Sequence, residues 1–119
     1  MQVFNPEGKH VRNIGSVGDR PGNFSRPKGI AIDSEDHIYI VDAAFQNFQI
    51  FNKEGQPLLF VGEGGSHPGQ FLLPAGIAID DEDRVYVVDQ LNARVQVFEY
   101  MGEKWKKRQA AAPKPEQKK

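Results

Sequence analysis

The sequence contains no cysteine, which excludes disulfides, thiolate zinc sites and covalent haem attachment and leaves the redox compartment open. No apolar run approaches the roughly 18 residues of a membrane-spanning helix. The opening MQVFNPEGKH lacks the charged-then-apolar layout of a signal peptide. As written, the chain is expected to be soluble and not addressed for export. Met1 falls inside a repeat, so an exported longer parent stays open and the compartment is unassigned. Sustained 3.6-residue apolar periodicity is also missing, which disfavours a helical solenoid. Net charge is nearly absent, at −1, but that total hides a division. Residues 1–102 carry eight Lys and Arg against fourteen Asp and Glu, and residues 103–119 carry seven against two. An acidic body, net −6, precedes a basic tail, net +5.

What the chain has in abundance is repetition. Residues 27–42 read PKGIAIDSEDHIYIVD, and residues 74–89 read PAGIAIDDEDRVYVVD, 47 positions later. Gln2-Val3-Phe4-Asn5 returns as Gln49-Ile50-Phe51-Asn52 and again, in part, as Gln96-Val97-Phe98. Of positions 1–55, 24 are identical to their partners 47 residues on, with no insertion or deletion. Such a period marks a repeat architecture rather than a chance likeness.

Within each period, short runs rich in Ile, Val, Phe and Tyr alternate with Gly, Asp and Asn clusters, the pattern of strands joined by turns. The runs are Gly29–Asp33, His37–Asp42, Phe48–Phe51 and Leu58–Gly62, with Gly76–Asp80, Arg84–Asp89 and Val95–Phe98 in the next copy and Val11–Gly15 in the preceding one. A Gly/Pro-rich crossover, Glu63 to Leu73, leads to the next first strand. Four strands and a long crossover in 47 residues describe one propeller blade. The expected fold is all-β, with blades of four antiparallel strands. Residues 1–26 end one blade, 27–73 form a complete blade and 74–102 start the next. Residues 103–119 form a basic, Pro-, Ala- and Lys-rich tail, read as mostly disordered, with a short helical turn around Glu103–Ala112 and disorder beyond Pro113.

These residues resemble NHL repeats, whose pattern runs P-x-G-I-A-V-D, a turn, I-Y-V-x-D, then N-x-R-V-Q-V-F. The second copy follows it through Pro74, Gly76, Asp80, Tyr86, Asp89, Asn92, Arg94, Gln96 and Phe98. The first follows it through Gly29, Asp33, Tyr39, Asp42 and Phe51, but places Phe45 and Asn47 at the family's Asn and Arg. That departure leaves open the polar contacts between the second and third strands of this blade. Asp36 and Asp83 stand where the family has a turn glycine, at a left-handed position that Asp tolerates. The resemblance implies a six-bladed ring, whereas this chain carries about two blades. Two sources for the rest are expected: a homotrimer closing six blades by strand complementation between chains, or a longer six-bladed protein of which this is the C-terminal end.

The candidate sites are weighed against their structural readings. The acids Asp33, Glu35, Asp36, Asp42, Asp80, Asp81, Glu82, Asp83 and Asp89 invite a cation or acid–base role. Yet they recur in both blades without calcium-loop spacing, so turn hydrogen bonding is the expected role. His10, His37 and His67 share no ligand spacing and are read as solvated. Gly62-Glu63-Gly64-Gly65 follows an outer strand without the Lys-Ser/Thr of a phosphate loop, so it reads as a turn. No nucleophile–base arrangement is apparent. Catalytic residues, cofactors and metals are therefore expected to be absent. The acidic body opposes a nucleic-acid partner, and the basic tail reads as a solvated terminus. The expected function is a non-enzymatic scaffold that binds a protein or peptide across its loop-bearing face or central channel. An RNA-binding module stands second, and a solute-binding or lyase-type propeller third.

Overall fold

The computed structural model describes residues 1–15 and 23–111. Gly18, Pro21 and Gly22, which recur as Gly65, Pro68 and Gly69, lie outside the described residues, as do the cation Arg20 and the tail beyond Ala111. The order is β1 (Gln2–Phe4), β2 (His10–Asn13), β3 (Pro27–Ile32), β4 (Ile38–Asp42), β5 (Asn47–Phe51), β6 (Pro57–Val61), β7 (Pro74–Ile79), β8 (Arg84–Asp89), β9 (Arg94–Glu99) and α1 (Glu103–Ala111). The strands form three antiparallel sheets, β1-β2, β3-β4-β5-β6 and β7-β8-β9. The middle sheet is a complete blade. The first holds the third and fourth strands of one blade, and the last holds the first three of another.

Local chemistry fixes each hairpin. Asp36 and Asp83 occupy left-handed backbone at φ 64° and 58°, as expected for an Asp at the glycine position. The third-to-fourth-strand turns use Gly8 and Gly55, at φ 83° and 86°, where glycine carries no Cβ penalty. Register repeats as faithfully as sequence. Gln49 faces Phe60 and Ile50 faces Leu59, while one period earlier Gln2 faces Asn13 and Val3 faces Arg12.

Period-two alternation sends neighbouring residues to opposite blade faces. On β4, Ile38 and Ile40 join Ile14, Phe24 and Phe51 in the core shared with the first sheet. Tyr39 and Val41 join Phe48, Phe71, Val85 and Val87 in the core shared with the third, with Ile77, Ile79 and Phe98 packed against it. Because β4 is covered on both sides, all five of its residues are buried. Gly29 lies where the inner strands converge: a Cβ there would sit 3.3 Å from the Ile77 nitrogen and 3.4 Å from the Gly76 Cα. The crossover from β6 to β7 inserts Phe71, fully buried, into the same core. Its amide donates to the Glu63 carbonyl at 2.8 Å, and the Gly65 amide donates to the Phe71 carbonyl at 3.1 Å. The glycine-rich stretch thus spends its backbone on the Phe71 turn.

The tail is helical where the sequence predicts a short helical turn around Glu103–Ala112, and the helix runs longer than one turn. Residues 103–111 form the nine-residue helix α1. Lys104–Arg108 stand one period after β6, where a fourth strand would lie, but KWKKRQAAA offers straight-chain helix formers and no β-branched residue. The Glu35 carboxylate accepts from the Glu103 amide at 3.1 Å, satisfying one of the orphan donors of the first turn.

Gly62 separates packing from backbone conformation. Its φ is +105°, and an added Cβ would lie 2.5 Å from the Phe71 ring. Gly62→Ala should lower stability by about 3 kcal/mol. Gly8→Ala, at positive φ with open space around it, should cost about 1 kcal/mol. Urea unfolding of the two variants measures both; equal losses would show that the Phe71 contact is unimportant.

Candidate functional site

The repeated acids gather into two tiers. At the turn between first and second strands, the Asp33 carboxylate accepts from the amides of Glu35 and His37 at 2.9 and 3.0 Å. It also accepts from the Tyr39 hydroxyl at 2.9 Å and pairs with His37 Nδ1 at 2.9 Å. One period on, Asp80 accepts from the amides of Glu82 and Arg84, the Arg84 Nε and the Tyr86 hydroxyl, at 2.8–2.9 Å. Partial desolvation pushes the Asp80 carboxyl up, but bonds from the Arg84 amide and side chain, then Tyr86, outweigh it and hold the group well below the usual carboxylate range. Burial, then the Asp33 bond and charge, raise the Tyr39 hydroxyl far above its ordinary value.

The second tier closes the other end of the blades. Asp89, fully buried, accepts from the Leu72 amide at 2.8 Å, Asn92 Nδ2 at 2.8 Å, Arg94 Nε at 2.8 Å and Gln96 Nε2 at 3.2 Å. Desolvation raises its carboxyl, and these donors together bring it below the usual value. Asp42, equally buried, takes backbone donors alone: Ser25 at 2.7 Å, Arg26 at 3.1 Å, Ala44 at 3.0 Å and Phe45 at 3.1 Å. The departure at Phe45 and Asn47 has therefore removed the side-chain donors, and Asn47 Oδ1 is buried without a partner. Tyr39, Phe51 and Phe98 line the cores, while Gly29 and Gly76 sit on the inner strands.

Two expectations need correction. His37 is not simply solvated, since its ring pairs with Asp33 and lies edge-on to Tyr100 with centroids 5.2 Å apart. Burial, then the Glu35 carboxylate, push the Tyr100 hydroxyl up to about 12. The tail is not wholly a solvated terminus either. Arg108 Nη1 donates to the Glu82 carboxylate at 2.7 Å and its carbonyl at 2.8 Å, and Lys104 Nζ donates to the Asp81 carbonyl. The basic helix thus docks on the acidic turn of the last blade.

A shallow site lies at the other, loop-bearing end. Arg26, Lys28, Ala43, Leu73, Pro74, Ala75 and Gln90 line a recess of ≈ 380 Å³ between the inner ends of two blades. Leu73 holds left-handed backbone at φ 51° and is 40% exposed. The Leu91 amide binds the Leu72 carbonyl at 3.1 Å, setting the 62%-exposed Leu91 near the same rim. Sequence reasoning missed this recess because Arg26 and Lys28 become Leu73 and Ala75 one period on, so the periodic signal passes over them. It also missed the cross-blade bond of Ser34 to Asp83, whose amide reaches the carboxylate at 2.9 Å.

A family profile described as a 6-bladed beta-propeller matches residues 1–48 and 34–111. The chain belongs to this six-bladed β-propeller family. The two matches overlap at residues 34–48, as a repeat aligned to successive parts of one profile would. No curated protein matches the chain. Within the propeller, the repeated acids occupy the turns and strand ends of the last two blades, and among the described residues no three His, Asp or Glu converge as metal ligands. No described helix is long and apolar enough to cross a membrane.

The depressed Asp80 and Asp89 carboxyls tie the propeller's stability to pH. A group whose folded pKa lies below its unfolded value of about 4 contributes fully above that value and loses its contribution as pH falls from there through the folded one. Denaturant unfolding should therefore show lower stability at pH 3 than at pH 7. Asp89→Asn should lower the pH 7 value by about 2 kcal/mol and shrink the acid loss. An undiminished acid loss in that variant would remove Asp89 from the account.

Proposed function

We propose that the chain is an NHL-type, non-enzymatic propeller scaffold in which three copies complete six blades and a peptide or protein segment docks on the loop-bearing face. The observation that carries this reading is the recess bordered by Arg26, Lys28 and Leu73, with Leu91 beside it. It combines exposed apolar side chains with two cations, Arg26 on the crossover and Lys28 at the start of β3, held by a rigid strand frame, the arrangement of a binding surface. The partner it suits is an extended segment bearing an apolar side chain and a carboxylate. Support for a non-catalytic role comes from the acids, since Asp33, Asp42, Asp80 and Asp89 are each saturated by donors of their own blade or its crossover. Nucleic acid is the weaker partner, because Lys104 and Arg108 of the basic tail are engaged with the last blade.

Panning a random peptide library against the 119-residue chain should enrich sequences that pair an apolar residue with Asp or Glu. Arg26→Glu combined with Lys28→Glu should weaken the selected peptides about tenfold or more. Peptide binding indifferent to that double variant would reject the recess, and RNA binding that falls steeply with salt would favour the nucleic-acid reading.

A further inference from the structure

We infer that the open outer edge of β9 receives β2 of a second copy of this chain, taking the place of that copy's own β1; this rests on the three-copy reading above. The edge is open because the residues standing one period after β6 are helical in α1. An unpaired strand edge is a template for another strand. Which strand fits is set by register. In the complete blade the third strand meets the fourth through Gln49↔Phe60, Ile50↔Leu59 and Phe51↔Pro57. In the first sheet the same positions pair as Gln2↔Asn13, Val3↔Arg12 and Phe4↔His10, with the irregularity at the same step. Residues 96–98 of β9 are again Gln-Val-Phe, identical to residues 2–4. A β2 strand therefore finds the same side chains in the same register on β9 as on β1.

The blade faces repeat the correspondence. Where the complete blade meets the last one, Val41 and Phe48 are buried against a sheet face that includes Ile77 and Ile79. One period on, Val88 and Val95 are 44% and 55% exposed; one period back from Ile77 and Ile79, Ile30 and Ile32 are 52% and 57% exposed. The joint already present within the chain is thus the template for a joint between chains, head to tail. A head-to-tail contact closes into a ring when its rotation divides the circle, and two blades per chain close six with three copies. The nine strands among the described residues of each chain exceed the eight that two blades hold, so one third strand must leave. β1 is the one to leave. It has three residues, whereas β9 has six and is tied to Asp89 through Arg94 and Gln96.

The absence of cysteine makes disulfide trapping clean. In the exchanged assembly, Val97→Cys with Arg12→Cys should form cross-links between chains, since directly opposed residues come within disulfide reach. Val3→Cys with Arg12→Cys, once oxidised, should hold β1 in place and leave monomers by light scattering. Gly76→Ala offers a test of the face. Within the chain its Cβ would meet nothing closer than 3.7 Å, whereas the equivalent Gly29 Cβ meets the next blade at 3.3 Å. This variant should keep its monomer stability and weaken association about tenfold. A wild-type monomer with native strand content overturns both the ring and the exchange. A three-chain mass that gives no Val97–Arg12 cross-link, or that persists with β1 locked, overturns the exchange and leaves the ring standing.

Discussion

Everything described in this chain depends on the face-to-face contact between the four-stranded sheet and the sheet on either side of it. A blade is too thin to own a core: β4, its best-covered strand, buries Ile38 and Ile40 on one side and Tyr39 and Val41 on the other only because a neighbouring sheet lies on each. Hydrophobic burial is proportional to area removed from water, so each blade's stability belongs to its neighbours as much as to itself. Constraints on the inner strands follow. Sheets that converge at Gly29 leave no room for a side chain, while the outer strand β6 stays mostly exposed through Leu58, Leu59 and Phe60. The repeated glycine and the tolerant outer strand are two ends of one wedge.

The same wedge explains why so many carboxylates sit where burial penalises charge. Turns at the narrow ends of the blades must present several backbone amides to a small volume, and a carboxylate accepts them all without needing a donor of its own. Asp33 and Asp80 each gather two amides and a tyrosine hydroxyl. These acids hold the hairpins shut, and the lowered Asp80 carboxyl follows from the amide, Arg84 and Tyr86 bonds that do so. Perturbed pKa values alone do not separate structural roles from catalytic ones.

The strand plan was legible because it is periodic: a 47-residue shift finds Gly29 and Gly76, Asp33 and Asp80, Tyr39 and Tyr86, and the structure places each pair at equivalent points. The left-handed Asp36 and Asp83 were legible for the same reason. What periodicity hides is whatever one blade does alone. Arg26 and Lys28 have no basic counterparts one period on, and Glu35 caps α1 from a neighbouring blade, 68 residues away. His37 was misread because its partner Tyr100 lies in the next blade, at a position where the first copy has Lys53. Contacts across a blade joint join residues that no local spacing relates.

The two second-tier aspartates show how such a repeat drifts without losing its fold. Around Asp89, three side chains and one amide share the work of neutralising a buried charge. Around Asp42 the crossover amides of Ser25 and Arg26 and the turn amides of Ala44 and Phe45 do it without any cation. Where Phe45 and Asn47 replace the Asn and Arg positions, the amides of Arg26, Ala44 and Phe45 take the place of the lost side-chain donors, beside the crossover amide that both sites share. The cost shows elsewhere, in the buried and unpaired Asn47 and Gln49 oxygens, each the kind of unsatisfied acceptor that carries a desolvation penalty. The crossover amide, from Ser25 on Asp42 and from Leu72 on Asp89, is therefore the donor that both carboxylates keep, and the Asn-x-Arg ligands are reinforcement that one blade retains and its neighbour does without.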